Sequence, residues 1–171
     1  RPGIAVGGHC IPVYPRLYLA GDPEATVVSA ARAANAGMPA YAVSRAAALL
    51  GSLEGLRVVV LGAAYRGGVK ETAFSGVFGV TCALREAGAQ VSVHDPLYSD
   101  EELAAFGWDA YHLGEPVDVA IVQADHAAYR DLAPADLPGV RVLVDGRAIT
   151  SPEAWAGTPR ITIGGGSVPA C

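Results

Sequence analysis

Long apolar runs are missing from this chain: nowhere in its 171 residues does one approach the roughly 20 residues that cross a bilayer. The start, Arg1-Pro2-Gly3, leads into glycines rather than the apolar core of a signal peptide, so a soluble, cytoplasmic protein with no membrane partner is expected. Clustered positive charge is missing too. The 12 Lys and Arg are scattered among 17 Asp and Glu, and a formal net charge of -5 offers no footprint for a polyanion, so no nucleic-acid partner is expected. Cysteine is scarce. Cys10, Cys82 and Cys171 are an odd number at wide spacing, which argues against a disulfide framework and against a Cys-x-x-Cys metal site, and no metal is expected. Apolar residues are what the chain has in plenty, 51% against 17% charged, enough for one ordinary domain core plus an appended element.

The opening, Arg1 to Leu19, is rich in Gly and Pro, shows no period, and reads as a loop that packs on something. Gly21-Asp22-Pro23 predicts a helix start, with Asp22 as cap, Pro23 at the first helical position, and Val27, Val28, Ala31 and Ala34 as the apolar stripe. Gly37-Met38-Pro39 predicts a kink or break, followed by a second helical segment through Leu50. From residue 57 short β-branched runs alternate with helical segments, the pattern of βα units in a mostly parallel sheet. Strands are predicted over Arg57 to Leu61, Gln90 to His94, Ala110 to Leu113, Val119 to Gln123 and Arg141 to Val144, with Arg160 to Ile163 as an edge. Helices are predicted over Phe74 to Ala87, over Ser99 to Phe106 with Ser99 and Glu102 as a capping box, over His126 to Leu132, and briefly from Ser151-Pro152-Glu153.

Several strands end in polar clusters: His94-Asp95-Pro96, Asp125-His126 and Asp145-Gly146-Arg147. Ligands of open α/β sheets bind beyond the carboxyl ends of the strands, so these clusters and the turn Gly62 to Gly68 outline a site. Capping of the following helices is the competing and favoured role for Asp95 and Asp125. The turn lacks the Lys and Ser or Thr of a P-loop and the spacing of the Rossmann fingerprint. It can still present backbone amides to a phosphate, with Arg66 adding charge, or be a structural turn with a solvated arginine. Arg147 leaves the sheet on the same side as Arg66, where two arginines suit a diphosphate or carboxylate; pairing with Asp145 is the alternative. Cys82, in an apolar helical stretch, is expected to be buried, and Cys171, in a Gly-rich tail, to be incidental. Cys10 ends a glycine-rich run, which suits either a buried thiol or a nucleophile set against a reacting carbon.

The run Gly7-Gly8-His9-Cys10-Ile11-Pro12-Val13 resembles the active-cysteine loop of the UDP-glucose/GDP-mannose dehydrogenase family, especially the branch oxidising UDP-N-acetylated hexosamines. Arg32, Asn35 and Met38-Pro39 resemble its central helix, and Leu61-Gly62 with Tyr65-Arg66 its first C-terminal strand and turn. His94-Asp95-Pro96, Ala124-Asp125-His126 and Asp145-Gly146-Arg147 resemble later strand ends in the same order. The resemblance implies a cysteine loop over 1–21, a long, kinked central dimerisation helix over 22–52, and a Rossmann-like parallel-sheet UDP-sugar-binding α/β domain over 53–171. It also implies that the family's NAD-binding N-terminal domain is absent from the chain, which alone is then expected to be inactive. The implied activity is NAD-dependent oxidation of the C6 alcohol of a UDP-sugar to the uronic acid in a homodimer, with Cys10 forming first a thiohemiacetal and then a thioester that water hydrolyses. In that reading Gly7 lies along the sugar, Tyr65 and Arg66 meet the nucleotide or phosphate, and Arg147 contacts the substrate.

Two positions depart from the family pattern. Tyr14 stands where an aspartate is common, and a phenol of pKa ~10 is a poorer base at neutral pH. Ala73 stands where the family has an arginine. Both departures favour the second reading, a non-catalytic module that binds nucleotide sugar and dimerises. A third is a flavodoxin-like or receiver-like domain whose loop similarity is accidental.

Overall fold

In β1 (Arg57–Leu61) Val58 and Val60 point to one face of the sheet and Val59 and Leu61 to the other, and all four are fully buried. Such a strand needs cover on both sides, the condition of a parallel sheet. The computed structural model describes residues 3–164. It places β1 among β2 (Gln90–His94), β3 (Asp109–Ala110), β4 (Val119–Val122), β5 (Val142–Asp145) and β6 (Arg160–Thr162), every pair parallel, in the order β3-β2-β1-β4-β5-β6. Val60 lies opposite Val93 on one side and Ile121 on the other, so the apolar alternation stays in register across the sheet.

One face of the sheet, through Val58, Val60, Val119, Ile121, Val142 and Val144, packs on Ala42, Val43, Ala46, Val77, Val80 and Leu84 of two helices, α2 (Thr26–Leu50) and α3 (Gly76–Glu86). The other face packs on Tyr129, Leu132, Leu137 and Trp155, which come from connections rather than from long helices. The helix expected over His126 to Leu132 is a single 3-10 turn, Ala127–Tyr129. Pro134 forbids extension, and Ala133 before it is extended, at φ -124° and ψ 164°. Ser151 opens turns instead of a helix; its hydroxyl is bonded to Glu153, and Pro159 follows closely. α4 (Asp100–Ala105) carries the expected capping box of Ser99 and Glu102.

The amino-terminal region departs most from expectation. Residues 10–21, read as loop, form helix α1 (Cys10–Gly21). Pro12 lies in the first turn, where its missing amide costs nothing, and Pro15 forfeits one ladder bond. Asp22 closes α1 instead of capping α2, and Pro23 lies in the link between the two helices. The break expected at residues 37–39 is absent, and α2 runs unbroken through Pro39. The Pro39 ring is buried against Gly79 of α3, where a Cβ would fall 2.8 Å from it, so packing offsets the lost ladder bond. Cys82 is exposed, its thiol 3.6 Å from Glu86 Oε1, contrary to the buried position expected. Cys171 lies outside the described residues.

Candidate functional site

The segment before α1 crosses the carboxyl edge of the sheet. Gly3 lies against the Arg147 side chain, and buried Ile4 packs on Gly146 beyond β5. Val6 N–H donates to Asn35 Oδ1 of α2 (2.8 Å), Gly8 N–H to the Ala73 carbonyl (2.8 Å), and Arg32 of α2 to the Pro12 carbonyl (3.3 Å). A Cβ on Gly7 would fall 2.6 Å from Tyr65 Cβ and 2.8 Å from the Phe74 carbonyl oxygen, so no other residue fits there without displacement. Gly8, at φ 87°, turns the chain into α1 while its backbone lies over the Tyr65 ring. Cys10 follows as the first residue of α1, exposed. His9 Nε2 stands 3.4 Å from Glu71 Oε2, and Glu71, held by the Ala73 amide and by His9, has its pKa lowered. Gly7 and Tyr65 thus meet on two facing segments, with Cys10 three residues beyond Gly7.

Tyr65 and Arg66 sit in the turn after β1, and most amides of this turn are engaged within the protein. Ala63 and Ala64 N–H both donate to Asp95 Oδ2 (2.8 and 3.1 Å), Tyr65 N–H to the Glu71 carbonyl, Gly67 N–H to Asp125 Oδ1 (2.8 Å) and Gly68 N–H to His126 Nδ1 (3.3 Å). Asp95 and Asp125 are therefore internal acceptors rather than the helix caps expected. The side chains of the turn remain to meet a phosphate here. Arg66 is exposed, its guanidinium 5.9 Å from the Tyr65 ring centroid.

Arg147 pairs with Asp125 (3.0 Å), not with Asp145. Asp145 is consumed by the amides of Arg147, Ile149 and Thr150, the Thr150 hydroxyl and Arg160. Asp125 thus joins the Arg66 turn to the Arg147 loop, a bridge that no spacing in the sequence signals. Burial pushes the carboxyls of Asp95 and Asp125 up, yet both end below the usual range. His126 with the Leu97 and Ala64 amides outweighs burial at Asp95; the Gly67 amide and Arg147 do so at Asp125. Asn35 and Arg32, which position the cysteine segment, had no role readable from composition. A cavity of about 790 Å³ between α1, α2 and the start of α3 is lined by Ile11, Pro15, Val28, Asn35, Phe74 and Phe78, and none of Gly7, Cys10, Tyr65, Arg66 or Arg147 borders it.

The strand order 3-2-1-4-5-6, with the Arg66 turn and the Asp125-His126 loop flanking the reversal between β1 and β4, defines a doubly wound α/β domain of the nucleotide-binding class. Residues 59–152 match the UDP-binding domain of the UDP-glucose/GDP-mannose dehydrogenase family, and the chain belongs to that family. It is 30% identical over 163 residues to the UDP-N-acetyl-D-mannosamine dehydrogenase of Methanococcus maripaludis strain C7, covering 91% of this chain and 38% of that protein. The structure of UDP-D-ManNAc dehydrogenase from Pyrococcus horikoshii superposes with a TM-score of 0.78 at 26% identity, over 98% of this chain and 40% of that one. A UDP-glucose dehydrogenase from Pyrobaculum islandicum does so with a TM-score of 0.79 at 27% identity, over 93% and 38%. The chain therefore spans about two-fifths of the length of these relatives.

Proposed function

We propose that this chain is the UDP-sugar-binding and cysteine-bearing part of an NAD-dependent nucleotide-sugar 6-dehydrogenase that oxidises a C6 alcohol to the uronic acid. The observation that carries this is the placement of exposed Cys10 at the end of a glycine segment packed on Tyr65, beside the switch point of a UDP-binding fold. In this reading Gly7 lets backbone run along the sugar, Tyr65 and Arg66 hold the nucleotide, and Arg147, steadied by Asp125, contacts the substrate. The Cys10 thiolate adds to the C6 aldehyde, which keeps that intermediate bound, and the sulfur leaves as thiolate when water cleaves the later thioester. NAD, held mainly outside this chain, would supply the hydride acceptor for both oxidation steps. The chain alone then binds UDP-sugar without oxidising it, and α2 mediates a homodimer.

Tyr14 and Ala73 favour a second reading, a module that binds nucleotide sugar without chemistry at Cys10. NADH formation from UDP-sugars by the complete protein separates the two. Turnover that Cys10→Ser abolishes while UDP-sugar affinity stays within about twofold supports the enzyme; saturable binding with no NADH supports the module.

A further inference from the structure

We propose that His126, clamped to Asp95, is the positioning residue that fixes the 62–68 turn and so sets how Tyr65 and Arg66 are presented; its bearing on nucleotide binding rests on the function proposed above. His126 is buried, at 3% exposure, and uses both ring nitrogens. Nδ1 accepts the Gly68 amide (3.3 Å), so the ring proton sits on Nε2, which donates to Asp95 Oδ2 (3.1 Å). The same Asp95 oxygen accepts the amides of Ala63 and Ala64, while Oδ1 accepts that of Leu97 (2.9 Å). One imidazole thereby ties the far end of the turn to the carboxylate that ties its near end. Tyr65 and Arg66 lie between the two fastened ends. The ring is itself held edge-on by Tyr129 (5.6 Å between centroids), whose hydroxyl is 2.9 Å from His94 Nδ1.

A buried imidazole-carboxylate pair is seldom the most stabilising way to fill such a space, because both groups are taken out of water. What it supplies beyond an apolar pair is direction. The ring itself holds the Gly68 amide, and the carboxylate it donates to holds those of Ala63 and Ala64, so the pair fixes named points of the turn.

Two variants separate the two bonds. His126→Gln keeps a donor where Nε2 stands and loses the acceptor for Gly68; His126→Asn keeps the acceptor where Nδ1 stands and loses the donor for Asp95. Amide exchange read by NMR is expected to rise at least about tenfold at Gly68 in His126→Gln, and to stay near wild type there in His126→Asn. UDP binding by calorimetry is expected to weaken about tenfold in His126→Gln and to recover in His126→Asn. His126→Leu leaves the buried Asp95 carboxylate without its donor and is expected to unfold earlier than wild type on heating, so its UDP affinity is compared at a temperature where both remain folded and is expected to be about tenfold weaker there. Unchanged Gly68 exchange in His126→Gln overturns the clamp, as does UDP affinity that ignores a freed turn. A wild-type chain that binds no UDP counts against the proposed function instead, and the exchange pattern then decides the clamp by itself.

Discussion

At the position of Gly7 one methyl group is too many. Gly7→Ala must displace Tyr65 or the Phe74 backbone, and overpacking of this kind costs about 1–3 kcal/mol. Urea denaturation is expected to show that loss, together with weaker UDP-sugar binding because Tyr65 is what moves; an unchanged midpoint would mean that the two segments do not touch. Acid acts on other single residues. Burial holds His94 below its ordinary 6.5 although Asp95 pulls it up, so the unfolded chain takes up that proton more readily. Stability is then complete above about pH 6.5 and declines below it. Asp95 and Asp125 lie below 3.8 in the fold, so their contribution holds above about pH 3.8 and is lost as pH falls through their lower folded values. Thermal unfolding across pH 3 to 8 is expected to show both stages, and His94→Asn to flatten only the upper one.

At the scale of elements, α2 and α3 meet where the Pro39 ring lies on Gly79. Gly79→Val is expected to wedge them apart and to cost about 1–3 kcal/mol in chemical denaturation, more than the local gain in helix propensity returns. That contact also explains which elements the sequence revealed. β1, β2, β4 and β5 were legible within about a residue because short β-branched runs, nearly all apolar in β1, β4 and β5, stand between helical segments. Pro39 misled because a proline reads as a break when its ring has no partner, and the partner lies some forty residues away. α1 misled because proline was weighed by number rather than by its place in the first turn. In the site, the motif singled out Cys10, Gly7 and Tyr65 as candidates, but local patterns could not say that Asp95 and Asp125 bind amides of the turn after β1, across neighbouring strands and far away in sequence. Acidic residues at strand ends read as caps for the helix that follows, and here the following helix was not their partner.

Across the whole molecule α2 carries apolar residues on more than its core face. Pro39, Ala42, Val43 and Ala46 face the core, while Val27, Tyr41 and Leu49 are exposed and fall within an arc of about 80° centred about 110° around the helix from them at 100° per residue. α1 adds Ile11, Tyr14, Leu17 and Tyr18, all exposed. No helix among the described residues is long and apolar enough to cross a membrane, so a bilayer-spanning role does not account for this surface. An exposed apolar stripe on a helix is commonly covered by a partner, and a second copy of the same stripe is the self-complementary cover that a two-fold dimer provides. Sedimentation velocity is expected to show a dimer at about 10 µM that Tyr41→Glu with Leu49→Glu weakens at least a hundredfold, since each change buries an unpaired carboxylate at the contact. A wild-type chain that stays monomeric to about 100 µM would remove α2 as the dimer contact and leave its outer stripe to another part of the protein.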